Sequence, residues 1–286
     1  MAVDKKIKNR IGTLNSLNSI FAAMQIITMT KLSRAKERAK RSHEYAEGMK
    51  GIVGRMDLPA GRQGLEDWRE KKNTQGKVIA IVISGSRGLC GPFNQNIFYR
   101  LASFAQEHSK EEVEYFVFGK KGETFLSQKG GKIRRSFLSD KIDYSEISAL
   151  CKEIFNEIEL GQVKEIYLIY NHSASILEQR TFANRLYPID NSNRAMTDEM
   201  LINVPDRKTV NESVLIKMLE AHVFAAWNDS MAGELSARMV TLKSAQDNSK
   251  NLIDTLIITR NKLRQQAITQ EILEIVEASE AMSGRE

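Results

Sequence analysis

The residues best placed to do chemistry form the stretch Ser84-Gly85-Ser86-Arg87-Gly88-Leu89-Cys90-Gly91, between an apolar run at 78–83 and a helical pattern that starts at Phe93. Backbone N–H groups of a glycine-rich turn at a helix start can cradle phosphate. The glycine spacing is G-x-x-G-x-x-G, which matches neither the dinucleotide fingerprint nor the P-loop. A tight turn from strand to helix is the simpler reading, and Gly119-Lys120-Lys121-Gly122 is a weaker version of the same pattern. Cys90 sits in the turn with no histidine near it in sequence, which favours an inert thiol. The four histidines, His43, His108, His172 and His222, lack ligand spacing. Carboxylates are plentiful, yet no pair stands in a recognisable catalytic loop. The expectation is therefore no catalytic residue, no cofactor and no metal. A second polar group lies near the C-terminus, where Arg260, Asn261, Arg264, Gln265, Gln266 and Thr269 cluster among apolar neighbours. Gln and Thr are less usual than Glu and Lys on a face that meets only water. These donors and acceptors suit hydrogen bonds to a surrounding partner.

The elements that must carry these groups are two long helices and a block between them. Residues 233–282 keep apolar positions in steps of three and four, through Leu235, Met239, Leu242, Ala245, Ser249, Leu252, Leu256, Thr259, Leu263 and Ala267. That narrow seam is the mark of a coiled coil. At the other end, 3–56 shows a seam through Ile7, Ile11, Leu14, Leu17, Phe21, Met24 and Ile27. At ~1.5 Å per residue, fifty or so residues make a rod of about 75 Å, more than one small domain can bury. The expected organisation is an N-terminal coiled-coil helix at 1–56, a Gly- and Pro-bearing linker with Trp68 at 57–76, an α/β head at 77–207 and a C-terminal coiled-coil helix at 208–286. Within the head, strands are expected at 78–84, 113–118, 165–171 and 180–188, and helices at 93–107, 121–128 and 145–160. Strands alternating with helices predict a mostly parallel, Rossmann-like sheet. A turn at Pro205 leads into the last helix.

Composition narrows the class. The longest apolar run is far too short for the ~20 residues of a membrane span. The start, MAVDKKIKNR, has no apolar core of a secretory signal. Two cysteines cannot build a disulfide framework, which fits a reduced setting. The net charge is +6, and residues 1–56 carry twelve Lys or Arg against four acids. This basic helix points to an acidic partner surface. Few aromatics and no recognised motif argue against nucleic acid.

The chain resembles the gamma subunit of the F-type ATP synthase over nearly its whole length. Three segments carry the resemblance: Ala23-Met24 with Lys31-Leu32-Ser33-Arg34-Ala35-Lys36; Ser86-Arg87-Gly88-Leu89-Cys90-Gly91 with Phe93-Asn94; and Glu234, Ser236-Ala237-Arg238-Met239, Asp247-Asn248, Asn261-Lys262, Arg264-Gln265 and 267–272. The resemblance implies an antiparallel coiled coil of the end helices inside a hexamer of alpha and beta subunits. It implies a head set against the epsilon subunit and the c-ring, with one copy per complex. Ion-driven rotation of such a shaft drives ATP synthesis or hydrolysis on the beta subunits. The chain itself is then non-catalytic and peripheral, on the cytoplasmic side of a bacterial plasma membrane. Met24, Arg264, Gln265 and Thr269 match family positions at the alpha/beta contacts, and Arg87, Gly88, Leu89, Cys90 and Gly91 match the head's signature loop. Ser86 stands where the family usually has Asp, Pro92 where it has a small residue, and 17–22 differ from its usual polar run. Two other readings rest on the residues alone. One is a coiled-coil scaffold, a divergent paralogue with other partners; the other is a nucleotide-handling enzyme built on the head.

Overall fold

The computed structural model describes residues 2–56, 76–138, 142–173, 179–189 and 207–283. The expected linker (Gly76 apart) and the turn at Pro205 lie outside them. The chain begins with α1 (Ala2–Arg55) and ends with α5 (Arg207–Ser283). Between them run β1 (Lys77–Ile83), α2 (Phe93–Glu107), β2 (Val113–Phe118), α3 (Lys120–Gln128), β3 (Lys132–Phe137), α4 (Tyr144–Glu159), β4 (Val163–Ser173) and β5 (Gln179–Tyr187).

The strands form one sheet in the order β3-β2-β1-β4-β5. Its first four strands are parallel and β5 is antiparallel to β4. The central strand β1 is a continuous apolar run because both of its faces are covered, and 78–83 are at most 3% exposed. Val78, Ala80 and Val82 point to one face, against Phe93, Ile97, Leu101 and Phe104 of α2 and Leu126 of α3. Ile79, Ile81 and Ile83 point to the other, against Ile147, Leu150 and Ile154 of α4 and Leu215, Leu219 and Val223 of α5. Helix α4 starts at a capping box, in which the Glu146 carboxylate accepts from the Asp143 N–H at 3.1 Å.

One strand was not expected. β3 reads KIRRSF, and its outward positions are charged because it is an edge strand. Those charges are paired. Lys132 reaches Glu112 at 2.6 Å and Glu114 at 2.8 Å, and Arg134 reaches Glu153 and Glu157, each at 2.5 Å. Lys77 of β1 completes the network, 2.8 Å from Glu114 and 3.1 Å from Glu157.

The chain divides into two compact units, residues 29–240 and residues 1–28 with 241–286. In the larger, α1 and α5 run antiparallel. Leu32 and Ala35 pack on Ala232 and Leu235, and further along Ala46 and Met49 pack on Ala221 and Ala225. In the smaller, the pairing is again antiparallel, with Asp4 Oδ1 2.9 Å from Arg260 Nε.

The expected seams need correction. Leu17 and Ile27 are 38% and 56% exposed, whereas Asn18 is half-buried and Thr28 buried. On α5, Leu252 is 40% exposed while Ile253 is buried, and Thr259 and Ala267 are exposed. Elsewhere the expected positions are buried or half-buried, Ile7, Ile11, Leu14, Phe21 and Met24 on α1 and Leu235, Met239, Leu242, Ala245, Ser249, Leu256 and Leu263 on α5. Where the pattern departs, the inward position lies one residue later, at Asn18, Thr28, Ile253 and Arg260, and three of these four are polar, so an apolar pattern steps past them.

Candidate partner interface

The glycine-rich loop follows β1 and enters α2, as its sequence requires. Ser84 ends the strand; its Oγ donates to Phe118 O at 3.0 Å and accepts from Gly122 N–H at 2.8 Å. Gly119 lies opposite at φ +98°, where a Cβ would come within 2.1 Å of Ser84 O, so only glycine fits. Gly85 N–H donates to Asn94 Oδ1 at 2.9 Å, and the Asn94 amide lies 3.3 Å from Cys90 Sγ. Leu89 and Gly91 take positive φ, 59° and 54°, which folds the loop back on itself. The start of α2 is anchored by fully buried Asn171, whose amide donates to Phe93 O at 2.7 Å.

The loop's chief partner is α5. Arg238 is buried, pairs with Glu234 one turn earlier, and donates through Nε and Nη2 to Gly88 O, each at 3.3 Å. A Cβ on Gly85 would sit 3.1 Å from the Glu234 carboxylate, so the close approach of loop and helix also favours glycine there. The Gly88 carbonyl, with Glu234 behind it, faces a guanidinium. The Gly85 N–H is already taken by Asn94 and the Gly88 carbonyl by α5, so the arrangement is that of a structural joint and not of a phosphate cradle, which presents N–H donors. Cys90 is 2% exposed, and burial, with Glu234 nearby, pushes its thiol above the ordinary value, which favours the unreactive form. Arg87, Gly88, Leu89 and Gly91 remain at the surface.

The C-terminal polar cluster lies in the smaller unit. Arg264, Gln265 and Thr269 are all exposed, and Thr269 Oγ1 turns back to Gln265 O at 2.9 Å. Met24, on α1 of the same unit, is half-buried. The structure does not gather these four residues into one pocket; it leaves them along helix faces. Every residue from 264 to 279 is exposed, including Ile268, Ile272, Leu273, Ile275 and Val276, each 47–68% exposed. A helix that shows aliphatic side chains with no internal cover is a surface for another protein. No helix among the described residues is long and apolar enough to cross a membrane.

Two long helices paired antiparallel, and a parallel-dominated α/β sheet tied by its signature loop to the second helix, define a class of α/β protein whose chemistry is protein contact. A family model described as ATP synthase matches residues 4–282. The ATP synthase gamma chain of a Psychrobacter species is 32% identical, over 99% of this chain and all of that one. The gamma chain of Nitrosococcus oceani is 31% identical with the same coverage. The chain belongs to the ATP synthase gamma-chain family. Among solved structures, a chain of the Euglena gracilis mitochondrial ATP synthase (OSCP/F1/c-ring, rotational state 3) shares the fold at a TM-score of 0.68 and 17% identity, covering 98% of this chain and 95% of that one. A chain of the central stalk and c-ring of the Tetrahymena thermophila mitochondrial ATP synthase aligns at 0.59 and 18%, over 79% of this chain and 99% of that one.

Proposed function

We propose that the chain is the rotor of a bacterial-type ATP synthase: the non-catalytic central-stalk subunit that couples ion-driven rotation to nucleotide chemistry on the beta subunits. The full-length similarity to gamma chains carries the reading, and the uncovered apolar and polar surface of 264–279 supports it. One copy stands in a hexamer of alternating alpha and beta subunits. The α/β part meets the epsilon subunit and the c-ring, on the cytoplasmic side of the plasma membrane and peripheral to it. Coupling is mechanical, since an asymmetric rotor that contacts the catalytic subunits differently in each orientation biases states of different nucleotide affinity. Arg264, Gln265 and Thr269 supply hydrogen bonds to the surrounding subunits, and Met24 an apolar contact. The twelve bases of residues 1–56 suit acidic loops on the hexamer. The loop Arg87–Gly91 belongs to the joint between sheet and α5, with Arg87, Gly88, Leu89 and Gly91 exposed.

The test is co-expression with alpha and beta subunits of the same source and a native mass of the purified complex. The expected composition is one copy per three alpha and three beta, with ATPase activity that falls when residues 264–286 are deleted. A chain that stays alone, or pairs only with itself, overturns the reading.

A further inference from the structure

A cleft of about 670 Å3 opens in the larger unit, between residues 43–54 of α1, strands β4 and β5, and residues 218–229 of α5. Val53, Leu168, Leu186 and Met218 are among its apolar lining residues. Lys50 and Arg185 line the same cleft, as do His43 and His222. Four other bases of this unit are paired, Lys77 with Glu114, Arg134 with Glu157, Lys164 with Glu111 and Arg238 with Glu234. Lys50 and Arg185 differ, for among the described residues neither has a carboxylate within 4.0 Å. Two carboxylates also face the cleft. Asp229 is held by His172 at 2.5 Å, and Glu47 lies beside His222. Tyr170 adds a phenol, and Asn184 an amide.

The geometry points to a binding site for an organic anion, its carboxylate or phosphate head held by Lys50 and Arg185 with the imidazoles of His43 and His222 as donors, and its apolar body on Val53, Leu186 and Met218. Three elements supply the cationic groups, so the site exists only in the folded chain. The cleft is larger than an inorganic ion needs, and its apolar lining residues offer contact to a hydrocarbon body. Burial pushes the His222 imidazole below its ordinary value; Glu47 opposes this, while Lys50 and His43 add to it. The ring is therefore neutral at pH 7, and an anion seated beside it favours the protonated form. Because the bound anion raises the pKa of His222, binding tightens as the pH falls toward the range in which that ring takes up its proton.

The probe is octanoate, with octanol as its uncharged analogue, followed through the imidazole ring protons of the full chain. Each ring is assigned by its own His→Gln variant. Octanoate is expected to shift His43 and His222 saturably and to leave His108 unmoved, with octanol giving no saturable shift. The double variant Lys50→Met/Arg185→Met is expected to weaken octanoate at least tenfold. Equal effects of octanol and octanoate, shifts that grow without saturation, or a shift of His108 as large as that of His222 overturn the proposal. Undiminished binding by the double variant overturns it too. The comparison of the two probes on the unaltered chain decides the matter even where the variant does not fold.

Discussion

At the scale of single residues, two buried carboxylates govern stability. Glu114 is 7% exposed on β2. Burial alone raises a carboxyl's pKa, but hydrogen bonds and charge from Lys132 and Lys77 outweigh it and bring Glu114 from 4.5 down to about 2. A pKa depressed in the folded state contributes stability that is complete above pH 4.5 and lost as pH falls through that window toward 2. The urea midpoint is expected to drop across it, and Glu114→Gln to flatten the drop; an unchanged profile in the variant sinks the assignment. Glu220 is fully buried on α5 and accepts from Tyr144 Oη and Ser148 Oγ, each at 2.6 Å, and from Lys217 Nζ at 2.7 Å. Glu220→Ala strands two hydroxyls and is expected to cost about 3 kcal/mol in urea unfolding. Adding Tyr144→Phe and Ser148→Ala recovers part of that loss, because no hydroxyl is then stranded and the half-exposed Lys217 turns to water.

At the scale of elements, the helix pair of the smaller unit carries a register device. Asn18 stands in the seam, and its Oδ1 is buried without a hydrogen-bond partner among the described residues. Such a polar seam residue lowers stability while it disfavours shifted pairings. Asn18→Leu is expected to raise the unfolding free energy of the chain by about 1 kcal/mol, read from thermal melting. A lower melting point shows instead that the amide is satisfied in solution. The same position explains what a sequence reader gets right and wrong. Helix α2 lies where periodicity sets it, with Phe93, Ile97, Leu101 and Phe104 buried, and strand β2 lies where its run of apolar and aromatic residues sets it. The seams came out one residue off only locally, chiefly where Asn18, Thr28 and Arg260 stand at inward positions that an apolar pattern cannot mark. β3 was missed because its alternation is written in Lys132, Arg134 and Arg135, whose partners lie on other elements. The candidate sites follow the same rule. The tip cluster is contiguous in one helix and legible, whereas Arg238 and Gly88 are 150 residues apart and nothing local pairs them. His43, Lys50, Arg185 and His222 were likewise scattered letters until the fold set them round one cleft.

At the scale of the whole molecule, residues 264–279 are a helix in which every residue is exposed. Short helices without tertiary cover are marginal in water. Amide exchange over this stretch is therefore expected to be fast in the isolated chain and slowed at least tenfold once alpha and beta subunits surround it. Equal rates in both states leave the segment without the partner contact assigned to it. The joint at Gly88 has a separate consequence. Its acceptor is a peptide carbonyl, not a side chain, and two N–H groups of Arg238 grip it from α5. A peptide group has no rotamer to slip through. Strain that enters α5 at this level passes straight into the backbone behind β1, which the sheet holds on both sides. The contact is in effect a clamp on the peptide chain, and Arg238→Lys, which gives up the two-pronged grip, is expected to leave a chain that folds with this loop held less firmly to α5.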